Sequence, residues 1–313
     1  MRARLNPLFP ILVLMGIGFI GIIAQERAFT PPDAVTRKFA IGETRFLPGD
    51  QQKAFSETRS FSPKSEAEGI DWLANHDEPG QTFEQFLSAR RNLVQPPRTK
   101  LYVQPIGEFS DKEKAVLEQV KAFAKIFFQM PVEMRPVIDP AKHQITSRKN
   151  PGSGNTQFLS TDILTLLRDE LPADGYSILA ITMTDLYPEE SWNFVFGQAS
   201  IQERVGVFSF ARYGEAGDPK YLQRCLKVFT HETGHMFGVR HCIHFQCLMN
   251  GSNSLSETDS APLHLCPVCL RKLHSAKAFE PRKRYQQMKT FFEKHELADD
   301  AKWTAGRLKE LAK

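Results

Sequence analysis

The sequence predicts an α/β (α+β) fold in which a twisted, mostly parallel sheet packs on helices. From residue 101 onward, short apolar runs bounded by turn residues alternate with longer segments of helical periodicity. Residues 177–182 are almost wholly apolar, as expected for a strand buried on both faces. The composition, 41% hydrophobic and 24% charged over 313 residues, is that of a globular protein with one large or two small domains.

The first predicted strand covers residues 101–106. Ser110 and Glu113 then form a capping box, which satisfies free amides at the start of a helix reaching about residue 130. The helix places its apolar residues on one stripe: Val116, Val120, Phe123, Ala124 and Phe127. A second strand is predicted at residues 132–137.

The remaining elements of the sheet follow a polar loop. Ser160 is a suitable N-cap for a helix that ends near residue 170. Strands are predicted at residues 177–182, 194–196 and 205–210, the first of them central because of its apolar character.

A helix predicted over residues 221–239 contains the pattern H-E-T-G-H at 231–235. Histidines four residues apart lie about 40° apart around a helix and roughly 6 Å apart along it, so His231 and His235 can bind one ion. Gly238 allows the chain to leave the helix sharply. His241 would then return as the third ligand of a zinc ion and leave one position for water or a substrate carbonyl.

Glu232 lies beside this ion but too close to His231 in sequence to complete the ligand pair. It is better placed to take a proton from water at the metal, as a general base. A lone helical histidine is usually an ordinary polar residue, but here H-E-x-x-H-x-x-G-x-x-H matches at all five positions. The pattern therefore predicts a zinc-dependent metallopeptidase. The alternative is a zinc-stabilised peptide-binding module with vestigial activity, which would not require Glu232.

Four of the five cysteines follow this motif: Cys242, Cys247, Cys266 and Cys269. The spacing C-x4-C-x18-C-x2-C is typical of a structural four-cysteine zinc site. Two disulfides, one within each close pair, and a redox dithiol in the last pair remain alternatives. His244 and His264 lie nearby and are possible substitute ligands, whereas Cys225 is predicted to be an inert core residue.

The extended histidine pattern is the metzincin signature, and the cysteine pattern resembles one branch, the archaemetzincins. That branch has a cysteine directly after the third histidine, a second cysteine five residues on, a methionine two residues later and a distant C-x-x-C. The resemblance covers roughly residues 71–275 and includes F-V-F-G-Q-A at 194–199 and V-G-V-F-S-F-A-R at 205–212.

This resemblance implies a metzincin-like zincin fold with an active-site helix and two Zn²⁺ ions, one catalytic and one structural. Met249 would lie in a turn beneath the catalytic zinc, with a structural role. The resemblance also implies a peptide or protein substrate that pairs with an edge strand by strand addition. The residues expected to form that edge are Gly206, Val207, Phe208 and Ser209, with an ordinary core strand as the alternative.

The N-terminus stands apart because residues 8–24 form an apolar run without charge, preceded by Arg2 and Arg4. Residues 1–25 are therefore predicted to form a membrane-like helix that acts as a signal anchor or a cleaved signal peptide, with a buried core helix as the third alternative. The two arginines favour a cytoplasmic N-terminus. The protein would be membrane-anchored on the extracytoplasmic side, or secreted or periplasmic after cleavage.

Three further regions complete the predicted organisation. Residues 26–98 form a linker or an N-terminal wrap, 99–275 a catalytic domain with both zinc sites, and 276–313 a helical segment packed on that domain. The net charge of +4 is small and spread along the chain, so it gives no indication of nucleic-acid binding.

Overall fold

The computed structural model describes residues 12–15, 29–89 and 91–312. Its strands are β1 (Leu12–Met15), β2 (Lys100–Ile106), β3 (Val132–Met134), β4 (Ser147–Lys149), β5 (Thr156–Leu159), β6 (Gly175–Thr182), β7 (Asp185–Tyr187), β8 (Val195–Ser200) and β9 (Val205–Ser209). Its helices are α1 (Ala34–Ile41), α2 (Gly49–Ser56), α3 (Trp72–Asn75), α4 (Phe83–Ser88), α5 (Asp111–Phe128), α6 (Ser160–Glu170), α7 (Pro219–Met236), α8 (Leu255–Ser260), α9 (Pro267–Ala276), α10 (Pro281–Lys294) and α11 (Ala298–Ala312).

The described strands form one mixed sheet in the order β3-β2-β6-β9-β8-β7-β5-β4, and β1 pairs with β8 off this path. The neighbours β3, β2, β6 and β9 are parallel, which confirms the predicted parallel core. The direction changes at β8, which is antiparallel to β9. Every residue of β6 is buried, because helices cover both faces of a parallel sheet.

Of the two predicted helix starts, the structure agrees with one and differs at the other. The capping box of Ser110 and Glu113 is present at the start of α5, as predicted. In α6, however, Leu159 occupies the N-cap position and Ser160 is the first helical residue. The Ser160 hydroxyl instead lies within hydrogen-bond distance of the Tyr187 carbonyl and of the Gln198 side chain, and so it joins the helix to the sheet.

The region predicted as a linker or wrap is a packed layer, which we call the wrap (the described residues between 29 and 98). It contains α1 to α4 and lies against the C-terminal part of the chain. Arg271 in α9 donates to the carbonyls of Ile41 and Glu43. Arg307 in α11 donates to the carbonyl of Ala54. These buried guanidinium groups satisfy carbonyls at the ends of short helices, which would otherwise lose hydrogen bonds.

The C-terminal segment forms two helices rather than one. The chain breaks between α10 and α11, where Glu296 has a φ of 58°. Phe291 and Phe292 of α10 pack against Phe123 of α5. The predicted packing on the domain that carries the motif is therefore confirmed, with a break that helical periodicity alone did not indicate.

The N-terminus differs from the prediction where it is described. Leu12–Met15 form a strand that pairs antiparallel with β8, so these four residues are not helical. The rest of the predicted membrane-like helix, at residues 1–25, lies outside the described residues. Among the described residues, no helix has the length and apolar character needed to cross a bilayer.

Candidate metal centre

Helix α7 carries the H-E-T-G-H motif at its buried end. Asp218 caps its first turn by accepting from the Lys220 amide, and Pro219 occupies the first helical position. All residues from Thr230 to Met236 are buried. Beyond the helix Gly238 has a φ of +82°, which a residue with a side chain rarely adopts. The chain can therefore turn back here and bring His241 towards the helix.

The three histidines of the motif converge. Their ligand atoms all lie within 4.8 Å of one another, and the Nε2 atoms of His231 and His235 are 3.0 Å apart. The ring centroids of His241 lie 5.4 Å from His231 and 5.0 Å from His235. The structure therefore brings together the three side chains that the spacing selected.

Each imidazole is oriented through its Nδ1 atom. This nitrogen lies 2.7 Å from the Leu248 carbonyl in His231 and 2.7 Å from the Val239 carbonyl in His235. Since a carbonyl oxygen only accepts, Nδ1 carries the proton in both rings, and the lone pair is left on Nε2. Both Nε2 atoms therefore present lone pairs to the same point.

His241 is oriented differently, by a carboxylate. Its Nδ1 lies 2.6 Å from Oε1 of Glu78 in the wrap. Burial raises the pKa of Glu78, but hydrogen bonds from His241 and Trp72 outweigh it, so the pKa lies below its usual value. The sequence patterns did not assign a role to Glu78. It lies in E-P-G-Q-T-F at 78–83, but no spacing rule connects that segment to the histidines.

The electrostatics of the site favour neutral imidazoles. Burial, together with the neighbouring His241, lowers the pKa of His231 to about 3. Burial and the two other histidines hold the pKa of His235 well below its usual range. A neutral imidazole is the form that binds a metal ion. Three nitrogen donors with one side left open fit the ligand set of a catalytic zinc site.

Glu232 lies beside the histidines without joining the converging ligand atoms. Its Oε1 is 3.9 Å from Nε2 of His231, and the residue is only 1% exposed. Burial raises the pKa of Glu232 to about 8. A carboxylate with a pKa near neutrality can both accept and release a proton, which is what general acid–base catalysis requires.

Met249 lies directly beneath α7. A Cβ atom added at Gly234, between the two helical histidines, would come within 2.6 Å of the Met249 sulfur. The Met249 carbonyl also accepts from the Cys242 amide at 2.7 Å. The methionine side chain therefore packs against α7 at Gly234, where a larger residue would displace it.

A second cluster lies next to this turn and contains four buried thiols: Cys242, Cys247, Cys266 and Cys269. Their sulfur atoms also lie within 4.8 Å of one another, and all five cysteines of the chain are free, so the alternative of two disulfides is not observed. The amides of Met249 and Cys266 donate to the Cys247 sulfur. Hydrogen bonds from the other three thiols hold the pKa of Cys242 well below its usual range. Four sulfur donors with this spacing fit a closed, structural zinc site.

The other candidate ligands lie outside both groups. The His264 ring stacks on Trp303 at a centroid distance of 3.4 Å. His244 is buried, but it is not among the converging donors. Cys225 is fully buried in α7, and burial raises its pKa well above the usual range, as expected for an inert thiol.

A cavity of about 60 Å³ opens beside His231 and Glu232. Its lining is mainly apolar, and the side chains that form it include Phe196, Tyr213, Val228, Leu248 and Leu255.

The edge for strand addition is not where the sequence placed it. Strand β9, with Gly206, Val207, Phe208 and Ser209, is paired to β6 on one side and to β8 on the other. Both its edges are therefore occupied, and no further strand can add to it. The neighbouring β8 has β9 on one edge, and its other edge pairs with β7 at Val195 and with β1 along residues 195 to 199.

Comparison with known proteins decides the family. The model of peptidase family M54 matches residues 114–275. Archaemetzincin-2 of Rattus norvegicus is 36% identical over 297 residues, which cover 82% of this chain and 81% of that protein. The chain belongs to the archaemetzincins. It is a zinc metallopeptidase, and so a hydrolase.

Other archaemetzincins match less closely. Archaemetzincin-1 of Mus musculus is 31% identical over 293 residues, which cover 81% of this chain and 57% of that protein. The crystal structure of archaemetzincin from Methanopyrus kandleri matches with 28% identity and a TM-score of 0.48, covering 58% of this chain and 97% of that one.

Proposed function

We propose that this archaemetzincin hydrolyses peptide bonds in peptides or proteins, with zinc bound by His231, His235 and His241 and with Glu232 as the general base. The observation that carries the proposal is the convergence of three buried imidazoles, each with its Nδ1 engaged elsewhere, beside one buried carboxylate. A zinc ion held there would lower the pKa of water toward about 7 and polarise the substrate carbonyl.

Glu232 performs the proton transfers in this mechanism. It accepts a proton from water as the water attacks the scissile carbonyl, and it passes this proton to the leaving amine. Burial, which raises the pKa of Glu232 to about 8, helps it to hold the proton between the two steps. Its position next to His231 in a buried helix keeps the carboxylate within reach of the reacting atoms.

A second, structural zinc is proposed at the four thiols. Residues 241–250 connect the two sites, because His241 is followed directly by Cys242 and the Met249 amide donates to the Cys247 sulfur. Asn250 closes this loop by donating to the carbonyls of Cys242 and Phe245. Zinc at the cysteines would therefore fix both the third histidine and the methionine under the helix.

Zinc content tests both proposed sites. The full chain, purified under reducing conditions without chelator, is expected to contain two zinc ions by plasma mass spectrometry. The His235→Ala variant is expected to contain one, because it loses a catalytic ligand but keeps the four thiols. If the unaltered chain contains one zinc ion and this variant contains none, the cysteines do not bind zinc. If the folded, unaltered chain contains no zinc, both proposed sites are refuted.

Peptide cleavage then distinguishes an enzyme from a binding module. Incubation with a mixed peptide library, followed by mass spectrometry, is expected to give new termini that the His235→Ala variant does not produce. Binding of peptides without cleavage by zinc-loaded protein would instead favour the module with vestigial activity.

The outer edge of β8 is the proposed site of substrate pairing. Leu12–Met15 already pair there, opposite residues 195 to 199, so an extended segment fits this edge. Main-chain hydrogen bonds would supply the affinity of a substrate strand. Strand β1 and a substrate would therefore compete for β8.

Disrupting β1 tests this competition. The double substitution Val13→Pro, Leu14→Pro is expected to lower KM for extended peptides by about tenfold, since one or two net hydrogen bonds of about 1 kcal/mol each no longer oppose binding. Neighbouring residues of a strand point their amides to opposite sides, so one of the two prolines must remove a bond to β8. A dipeptide substrate, too short to pair along the strand, serves as the control. An unchanged KM for the extended peptides would contradict competition at this edge.

A further inference from the structure

We propose that Glu78 is a positioning residue of the catalytic zinc site, so that the wrap completes this site instead of merely covering it. The inference rests on the proposed zinc ligation by His241. It concerns a residue 163 positions away from that ligand in the sequence, on a different layer of the molecule.

His241 needs such a partner more than the other two histidines do. His231 and His235 are held by the backbone of a buried helix, and their Nδ1 atoms donate to carbonyls of the chain next to it. His241 lies beyond the helix, after the turn at Gly238. Its ring orientation is fixed through Nδ1 by the Glu78 carboxylate, at 2.6 Å.

The carboxylate adds more than orientation. A hydrogen bond to an ionised acceptor is roughly twice as strong as one to a neutral acceptor. A carboxylate on the far nitrogen of a metal-binding histidine also raises the basicity of the ligating nitrogen. The side chain of Glu78 is 20% exposed and that of His241 is 8% exposed, so water competes little for this bond. Glu78 therefore places a negative charge where it favours a bound cation.

Glu78 is itself held in place by Trp72. The indole Nε1 of Trp72 donates to the same oxygen, Oε1, at 2.7 Å, and the indole ring meets the His241 ring edge-on at 5.0 Å. The main-chain amide of Trp72 donates to the carboxylate of Glu257 in α8. A Cβ atom at Gly251 would lie 2.4 Å from the indole. Trp72 is thus packed against the chain that follows Met249, and it cannot move without displacing that chain.

A purely structural role for Glu78 would lead to a different result. If Glu78 and Trp72 only tethered the wrap, their loss would lower the thermal stability but leave the metal affinity of the site unchanged. A positioning role predicts that the metal affinity and the ligand field change, even in a variant that folds normally. Glutamine at position 78 separates the two cases, because its amide oxygen can still accept from His241 while the charge is removed.

The experiment measures zinc retention by the full chain against a competing chelator, and the visible absorption spectrum after cobalt(II) replaces the catalytic zinc. Glu78→Gln is expected to weaken zinc binding at this site about tenfold and Glu78→Ala about 100-fold, with altered cobalt bands. Trp72→Phe, which keeps the aromatic ring but loses the indole donor, is expected to have a smaller effect in the same direction. Glu57→Gln is the matched control, because Glu57 is a wrap carboxylate that bonds Arg59.

The outcomes separate this inference from the proposed function. Weaker zinc binding in both Glu78 variants, with the unaltered chain and Glu57→Gln binding normally, would support it. Unchanged zinc retention and cobalt spectra in both variants, with only a lower unfolding temperature, would overturn it and leave the peptidase proposal intact. Failure of the unaltered chain to bind metal at the histidines would overturn both.

Discussion

Replacing Glu232 with glutamine is expected to lower peptide hydrolysis by about 10²- to 10⁴-fold while zinc remains bound at both sites. Glutamine has nearly the shape of glutamate but cannot accept the proton from the attacking water. Glu232 is not among the converging ligand atoms, so the metal content should not change. The measurements are zinc per chain and the rate of cleavage of a peptide that the unaltered chain cleaves.

The stability of the metal-free protein gives an independent check on the same residue. Burial raises the pKa of Glu232 from 4.5 in the unfolded chain to about 8. A group whose pKa is raised by folding stabilises the fold fully below its unfolded pKa, and this contribution is lost as the pH rises through the folded pKa. We therefore expect metal-free Glu232→Gln to gain stability relative to the unaltered chain as the pH rises from about 4.5 to 8.

Glu118→Gln is the control for both measurements, because Glu118 is an exposed carboxylate that pairs with Lys121 on α5. It should retain both activity and stability. Hydrolysis by Glu232→Gln within a factor of about two of the unaltered chain would rule out a general-base role. Loss of zinc together with activity would show instead that Glu232 is needed for metal binding.

The parts of the fold that the sequence predicted are those with strong local signals. Strand β6 is eight residues long and buried throughout, and α5 starts with a capping box. Strands β4, β5 and β7, of only three or four residues each, were missed. Neither a period of two nor a period of 3.6 can be recognised over so short a segment. Their existence depends on pairing with neighbours that are distant in sequence.

The parts of the candidate site also differ in how well the sequence predicts them. The histidine motif is local, because its geometry follows from the pitch of one helix and one turn at Gly238. Glu78 is not local: its role arises only when the wrap folds against the loop that carries His241. The edge available to a substrate is also a property of topology. The sequence of β9 does not show which strands pair with it, and only the strand order shows that β9 is enclosed between β6 and β8.

The N-terminal apolar run shows a further limit of sequence patterns. A continuous apolar segment has no period, so its composition is compatible with a membrane helix or with a buried strand. The four described residues in it are a strand on β8. The prediction favoured a helix because of the length of the run and the preceding arginines. Neither feature indicates whether a sheet edge is available to pair with the run.

Removing one thiol of the four-cysteine cluster is expected to affect the whole catalytic region. Cys269→Ala should lose the structural zinc, because three sulfur atoms cannot complete a closed tetrahedral site. Structural zinc contributes roughly 10–16 kcal/mol of apparent binding free energy, which is comparable to the entire folding stability of a domain, about 5–15 kcal/mol. We therefore expect a large fall in unfolding temperature and loss of peptide hydrolysis.

The chain provides a matched control in Cys225, which is also fully buried but lies in α7 outside the cluster. Cys225→Ala should keep two zinc ions and lose only about 1 kcal/mol of stability.

Counting reactive thiols on native protein tests whether the cysteines bind zinc. Zinc removal by a chelator should expose four reactive thiols in the unaltered chain. Thiols that stay blocked after chelation, or two zinc ions retained by Cys269→Ala, would contradict a metal site at the cysteines. The connection through Cys242 to His241 predicts that the catalytic site loses zinc affinity in Cys269→Ala as well, since its third ligand is then held by an unanchored loop.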